Sequence, residues 1–193
     1  MHIKLRFLYL ILLSSFVSSD LQIEELIATG TLLKNTEQDS SPVDAISEED
    51  YKNFNISNIA EISKYISSSS GSHFQANTLD GVDQGMAAIT LRGLDHSATL
   101  LLVNSKRQTF AGTPSNEGEG YIDINIIPEI ALKQVEILKE GATSLYGSDA
   151  VAGVVNMITH TDFNGLKFQA GHQKTSNYNQ NDSTMGILYG SQY

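Results

Sequence analysis

A chain of 193 residues with 40% apolar content is long enough for a hydrophobic core of ordinary size, and one domain is the default expectation. Twelve basic against twenty-two acidic side chains leave a net charge of -10, which argues against nucleic acid and against an anionic membrane surface as partners and is most simply a matter of solubility. With no Cys and no Trp, no disulfide framework, thiolate zinc cluster or cysteine nucleophile is available, and the redox compartment stays open.

Lys4 and Arg6 precede an apolar run, Phe7 to Leu13, that resumes at Phe16 and Val17, and Val17 and Ser19 stand at minus three and minus one to a cut before Asp20. This is the pattern of a secretory signal peptide over residues 1–19. The run is much shorter than the ~20 residues a membrane-spanning helix requires, so export is expected in preference to an N-terminal anchor. From Asp20 to Asp50 the sequence is polar and acidic, except where Leu21, Ile23, Leu26, Ile27 and Ala28 surround Glu24 and Glu25, followed by Thr29, Gly30 and Thr31. Two readings stand side by side: a first strand of the domain, which the residues alone favour, or an extended segment that adds itself to another protein's sheet edge. Lys34 to Asp50, with Ser40, Ser41 and Pro42, reads as a linker.

Between Phe54 and Ile66 the pattern turns helical. Ile56, Ile59, Ile62, Tyr65 and Ile66 fall on one stripe, with Asn58 and Glu61 as an N-terminal capping pair; such a stripe is more often core packing than a partner site. Residues 67–88, rich in Ser, Gly, Asn and Gln, form a loop that carries His73 and Asp83. A strand pair follows, Ile89 and Leu91 and then Thr99 to Val103, with a two-residue hairpin turn at Asn104-Ser105 before Lys106 and Arg107. Phe110 to Gly120, which includes Glu117, reads as an exposed excursion.

Pro128 suits the start of a short helix through Leu132. The stretch it feeds, Val135 to His160, organises the rest of the chain. Val135, Ile137 and Lys139 alternate with Glu136 and Leu138 as in a strand; Gly141 ends it, Ala142 to Tyr146 make a brief helix, and a second strand runs from Val154. Gly147, Ala150, Ala152 and Gly153 let backbone approach backbone closely. Beyond it, Gly165 to Gln173 and Thr184 to Tyr193 alternate as two arms of a hairpin, joined by the Asn-rich Lys174 to Ser183.

Signals for chemistry are weak. The histidines at 2, 73, 96, 160 and 172 show no metal-ligand spacing, Ser148-Asp149 lacks a nucleophile elbow, and Gly141 to Gly153 has neither a Gly-Lys-Ser/Thr ending nor a G-x-G-x-x-G. No enzyme, no cofactor and no metal site is expected. Arg92 just after one strand and Glu136, Lys139 and Glu140 along another point instead to ionic pairing inside a larger assembly.

Three motifs, in order, are specific. Ile89-Thr90-Leu91-Arg92-Gly93-Leu94, then Leu100 to Arg107, then VEILKEGATSLYGSDAVAGVVNMIT together resemble the plug domain of TonB-dependent outer-membrane receptors, directly over about Ser47 to Thr159. The resemblance implies an α+β fold, a small mixed β-sheet with short helices that lodges inside a barrel of about 22 strands. It recasts Glu24, Glu25, Leu26, Ile27, Ala28, Thr29 and Gly30 as similar to the family's TonB box, the segment that pairs with a TonB-type energy-coupling protein. It makes Arg92, Gly93, Glu136, Lys139, Gly141, Tyr146 and Gly147 plug framework and barrel contacts, and turns His73, Asp83, Phe110 and Glu117 towards ligand. Gly165 to Tyr193 then fits the first barrel hairpin, with Leu166, Phe168 and Ala170 towards lipid. Leu26, Ala28 and Ser105 depart from the family's usual pattern.

The implied organisation is a signal peptide over 1–19, box segment and linker over 20–46, plug over 47–160 and the start of a β-barrel over 161–193. A barrel of about 22 strands at ~10 residues each needs roughly 220 residues before any loops, so this sequence reads as a piece of a receptor or a plug without its own barrel. The implied function is the gating, at the outer membrane, of energised uptake of a scarce solute: a siderophore, another metal chelate or a vitamin. The rival is a soluble periplasmic binding or signalling module that borrowed the plug fold and transports nothing.

Overall fold

A computed structural model describes residues 43–54, 56, 58–70, 85–115, 118–174 and 181–191. The residues expected to form the signal peptide and the box, together with His73, Asp83, Glu117 and residues 175–180, lie outside the described residues.

Five strands form one mixed sheet: β1 (Val43–Ser47), β2 (Thr99–Val103), β3 (Lys106–Arg107), β4 (Leu132–Leu138) and β5 (Gly153–Thr159), in spatial order β1-β4-β5-β2-β3. β4 runs antiparallel to both β1 and β5, whereas β5 runs parallel to β2. A parallel pair needs a long connection, and the chain between β2 and β5 supplies it through the 110–120 excursion, two short 3-10 turns and β4 itself. The alternation expected along Val135 to Leu138 is present, yet every residue from Gln134 to Leu138 is buried, because the central strands are covered on both faces.

One face carries Ile46, Leu101, Val135, Ile137, Val155 and Met157 into a core with Ile56, Ile59, Ile62, Leu91 and Ile124. The opposite face packs Leu100, Leu102, Leu138 and Val154 under Ala142, Ala150 and Tyr146. Each such aliphatic side chain contributes roughly 1.5–3 kcal/mol by leaving water.

The stretch read as linker, Lys34 to Asp50, ends differently from that reading. Its last eight residues are β1 and the start of helix α1 (Glu48–Asn53). Val-Asp-Ala-Ile-Ser is short and breaks alternation at the adjacent Ala45 and Ile46, so it does not signal a strand, and it is held by its register with β4. Ser47 caps α1 in a reciprocal box with Asp50, the Ser47 backbone N–H donating to Asp50 Oδ2 at 2.8 Å and the Asp50 N–H to Ser47 Oγ at 3.3 Å.

The helical stripe further on is a 3-10 helix, Ile59–Tyr65, with Asn58 as its cap. Ile56, Ile59 and Ile62 recur at intervals of three, which matches three residues per turn better than 3.6, and all three are buried. Tyr65 instead stays at the surface, stacked on Phe54 with ring centroids 4.3 Å apart. Ile89 to Leu91 is not a regular strand; Leu91 makes an isolated bridge with Ser69. Pro128 precedes a 3-10 turn, Glu129–Ala131, and β4 begins at once at Leu132, three residues before the expected start.

After β5, β6 (Gly165–Lys174) and β7 (Asn181–Gly190) pair as a separate antiparallel hairpin. Leu166 faces Tyr189, Phe168 faces Ile187 and Ala170 faces Met185 across the ladder. All of these are exposed, Met185 to 76%. The alternate residues Lys167 and Gln169 turn inward to the 3-10 turn that precedes β4.

Candidate functional site

The connection from β4 to β5 is the compact unit expected around Gly141 to Gly153. Helix α2 (Thr143–Tyr146) and a 3-10 turn, Ser148–Ala150, fold back over the sheet, closed by Ala142 N–H donating to Ala150 O at 2.9 Å. Gly147 sits at φ 84° and ψ -173°, a conformation open only to glycine in practice. At Gly141 a Cβ would stand 3.0 Å from the carbonyl oxygen of Val151. Arg107 at the outer edge of the sheet grips this lid: Nη1 lies 2.6 Å from Asp149 Oδ2, and Nη2 donates to the carbonyl of Tyr146.

Glu136 lies at the centre of β4, fully buried, in register with Ala45 of β1 and Asn156 of β5, and accepts a hydrogen bond from Gln134 Nε2 at 2.8 Å. Asn156 in turn holds the β2–β3 turn, its Oδ1 accepting from the Ser105 N–H at 3.0 Å. Asn104 reaches the end of β5, where its Nδ2 donates to Thr159 Oγ1 at 2.8 Å and its Oδ1 accepts from the Thr159 N–H at 2.9 Å. Both turn residues have positive φ, 49° and 64°, as the type I′ hairpin turn requires.

Arg92 and Gly93 form a left-handed corner, φ 58° and 66°, with the Arg92 N–H donating to Ser68 O at 2.7 Å. The Arg92 side chain is exposed. The ionic pairing drawn along β4 takes another form here: Lys139 pairs with Asp44 of β1. Phe110 is 57% exposed and lies over Gly120, at the neck of its loop where the Ala111 N–H donates to Tyr121 O.

A cluster that the sequence did not single out ties the hairpin to the sheet domain. Glu48, the first residue of α1, receives Lys52 at 2.7 Å and Lys167 of β6 at 3.0 Å on Oε1, and His160 Nε2 at 3.1 Å on Oε2. Burial alone would raise the Glu48 carboxyl, but the hydrogen bonds and charges of Lys52 and Lys167 outweigh it and hold the group down to about 2. His160 is pushed below its ordinary value, first by burial and then by the charge of Lys167. Beside this cluster, Gln169 Nε2 donates to Glu129 Oε1 at 2.9 Å, and Gly186 of β7 lets the backbone close onto Ile130. Two shallow clefts line this seam, one beneath Tyr51, Lys52 and His172, the other beneath Ile127, Pro128 and Met185. Glu48 and Lys52 are legible as a helical pair at four-residue spacing; His160, 112 residues along the chain from Glu48, carried no signal.

Of the expected framework positions, Gly141, Tyr146 and Gly147 lie in the β4–β5 lid, and Lys139, where the chain leaves β4 for the lid, is paired with Asp44 of β1. Arg92 and Gly93 form a corner at the same end of the sheet, since Leu91 packs beside Gly153, while Glu136 lies inside. The seven box positions, His73, Asp83 and Glu117 are outside the described residues.

A family profile described as the TonB-dependent receptor plug domain matches residues 35–154. The chain is 40% identical over 75 residues to the iron-regulated outer membrane virulence protein of Vibrio cholerae, a match that covers 38% of this chain and 12% of that protein. Among solved structures, the siderophore receptor PirA of Acinetobacter baumannii superposes with a TM-score of 0.53 at 27% identity, over 75% of this chain and 21% of that one. A mutant of the ferric enterobactin receptor PfeA of Pseudomonas aeruginosa, in complex with enterobactin, shares the fold with a TM-score of 0.54 at 22% identity, over 78% of this chain and 22% of that one. The chain thus spans 12% of its curated relative and about a fifth of these receptors. A profile match that runs from the approach to β1 into β5, over a mixed sheet with a glycine-hinged lid, places the chain in the TonB-dependent receptor plug domain family.

Proposed function

We propose that this chain is the N-terminal plug region of an outer-membrane receptor that imports an iron chelate, and that it gates the passage. The observation that carries the reading is the order of parts: a plug domain matched over residues 35–154, followed directly by a hairpin whose apolar face turns away from it. Iron is the favoured cargo because the Vibrio relative is described as iron-regulated and the Acinetobacter neighbour as a siderophore receptor. The function needs no bond chemistry: ligand binds above the plug near the Phe110 loop, the box from Glu24 to Gly30 is released, and a TonB-type protein draws on it.

Ile27→Pro in the full-length receptor tests the box, because proline removes an N–H and cannot complete a strand ladder. Energised uptake of the ferric chelate should be lost, with binding of the chelate to whole cells unchanged; unimpaired uptake would remove the assignment. The rival, a soluble periplasmic module, would leave Leu166, Phe168, Met185, Ile187 and Tyr189 side by side in water, an apolar patch of a kind that marks an interface. Recovery of the protein in the periplasmic fraction rather than the outer membrane would favour that rival.

A further inference from the structure

The cluster at Glu48 joins three segments through one carboxylate, and its two long-range claimants are of different kinds. Lys167 comes from β6 and brings an ammonium group; His160 follows β5 directly and brings an imidazole, a group able to gain charge on mild acidification. A carboxylate only accepts hydrogen bonds, so His160 Nε2, 3.1 Å from Glu48 Oε2, carries its hydrogen in both charge states. Protonation then occurs at Nδ1 and adds the attraction of a second charge to a hydrogen bond that the carboxylate's charge already strengthens.

The surroundings make that proton costly. Lys52 of α1 and Lys167 of β6 already face the same carboxylate, and Lys133 of β4 adds its charge towards His160. The only anion bonded to these groups among the described contacts is Glu48; Glu129, the nearby acid before β4, is engaged by Gln169. Lys52 is mostly in water, its side chain 70% exposed, and can accommodate a new neighbour by swinging outward. Lys167 is only 20% exposed and is held by Glu48 and, at 3.5 Å, by the carbonyl of Ile130. Of all the charges near His160, that of Lys167 opposes its protonation most.

We propose that Glu48 is a shared anionic seat through which the charge on His160 sets how firmly the first hairpin is held to the plug. With His160 neutral, Lys167 occupies Oε1 and pins β6 to α1. With His160 charged on Oε2, Lys52 can retreat into water but the more buried Lys167 cannot avoid the new charge, and its hold on Oε1 weakens, leaving β6 attached mainly through Gln169, Gly186 and the short 160–165 connection. The junction therefore loosens on acidification to a pH below the ordinary histidine value, since burial and Lys167 hold His160 down, while the β4–β5 ladder keeps its pairing. This inference concerns the seam and does not depend on which ligand, if any, the receptor carries.

Amide hydrogen exchange of the 193-residue chain at pH 7.5 and 5.5, corrected for intrinsic rates, reads the seam directly. Protection of Gly165–Lys174 relative to Val154–Met157 should fall by about fivefold or more on acidification, in keeping with a local opening. His160→Gln should abolish the fall, Lys167→Met should show the low protection at both pH values, and His172→Gln, on the same strand but outside the cluster, should behave as the natural chain. Protection of β6 that is independent of pH, or a fall that survives His160→Gln, would overturn the proposal. If His160→Gln also weakens β4–β5, Lys133→Met decides instead, since it removes one repulsion without touching Glu48: the midpoint of the fall should move to higher pH, and an unmoved midpoint is a refutation.

Discussion

Gly153 begins β5 at φ 143°, and a Cβ there would stand 2.8 Å from Leu91 Cδ1 and inside contact distance of the Leu138 carbonyl oxygen. The Leu91 methyl can shift; the carbonyl belongs to the β4 ladder and cannot. Gly153→Ala should therefore cost at least about 2–3 kcal/mol, combining a forbidden backbone conformation with a forced separation of β4 from β5, read as a lower urea midpoint. Glu48 acts through charge instead. Its carboxyl titrates at about 2 in the fold against 4.5 ordinarily, so the unfolded chain takes up the proton first as pH falls. The resulting stabilisation is complete above about pH 4.5 and is lost as pH drops towards 2. Because the group is partly solvated, we expect about 1–2 kcal/mol rather than the full conversion of the shift. Urea titrations of Glu48→Gln between pH 5 and 2 should lack this part of the acid dependence and meet the natural chain at the acid end.

The β2–β3 turn shows how an element is fixed by what lies beside it. Asn104 accepts positive φ readily and is secured by Thr159, whereas Ser105 at φ 64° pays a steric cost of about 1 kcal/mol. Its N–H bond to Asn156 is a backbone donation that glycine preserves. Ser105→Gly should thus raise stability by about 0.5–1 kcal/mol, measured as a higher melting temperature. The turn was legible because Asn104-Ser105 closes an apolar run with two residues suited to a tight turn; so was the lid, from its spaced small residues. β1 was not legible, since a five-residue edge strand owes its conformation to β4 rather than to its own pattern. The 3-10 helix was half legible: the three-residue spacing of its isoleucines was visible, and only the assumption of an α-helical period misplaced Tyr65.

For the molecule as a whole, the plug family could be read from three ordered motifs, but its ties to the hairpin could not. The pairing of Glu48 with His160 and Lys167 depends on where β1 docks, and local spacing carries no information about that. The structure directs Lys167 and Gln169 inward and leaves the Leu166, Phe168 and Met185 face exposed, the side to which the strand alternation assigned Leu166 and Phe168. If that face meets lipid, Phe168→Arg in the full-length receptor should cost about 2–4 kcal/mol near the bilayer centre and reduce the outer-membrane yield of folded receptor, whereas Lys174→Gln at the strand end should not.

The strand order has a further consequence, for the time course of assembly. β4 and β5 are joined by a short lid and can close early, but β1 and β2 leave the ribosome long before the strands they flank, and loop closure delays distant pairings. The first half of an exported chain of this design travels without its sheet partners, and the β4–β5 hairpin is the template on which the earlier strands settle. Until it arrives, the Leu100 to Val103 run has only the two-residue β3 beside it and is the apolar strand of the sheet most exposed to wrong pairings.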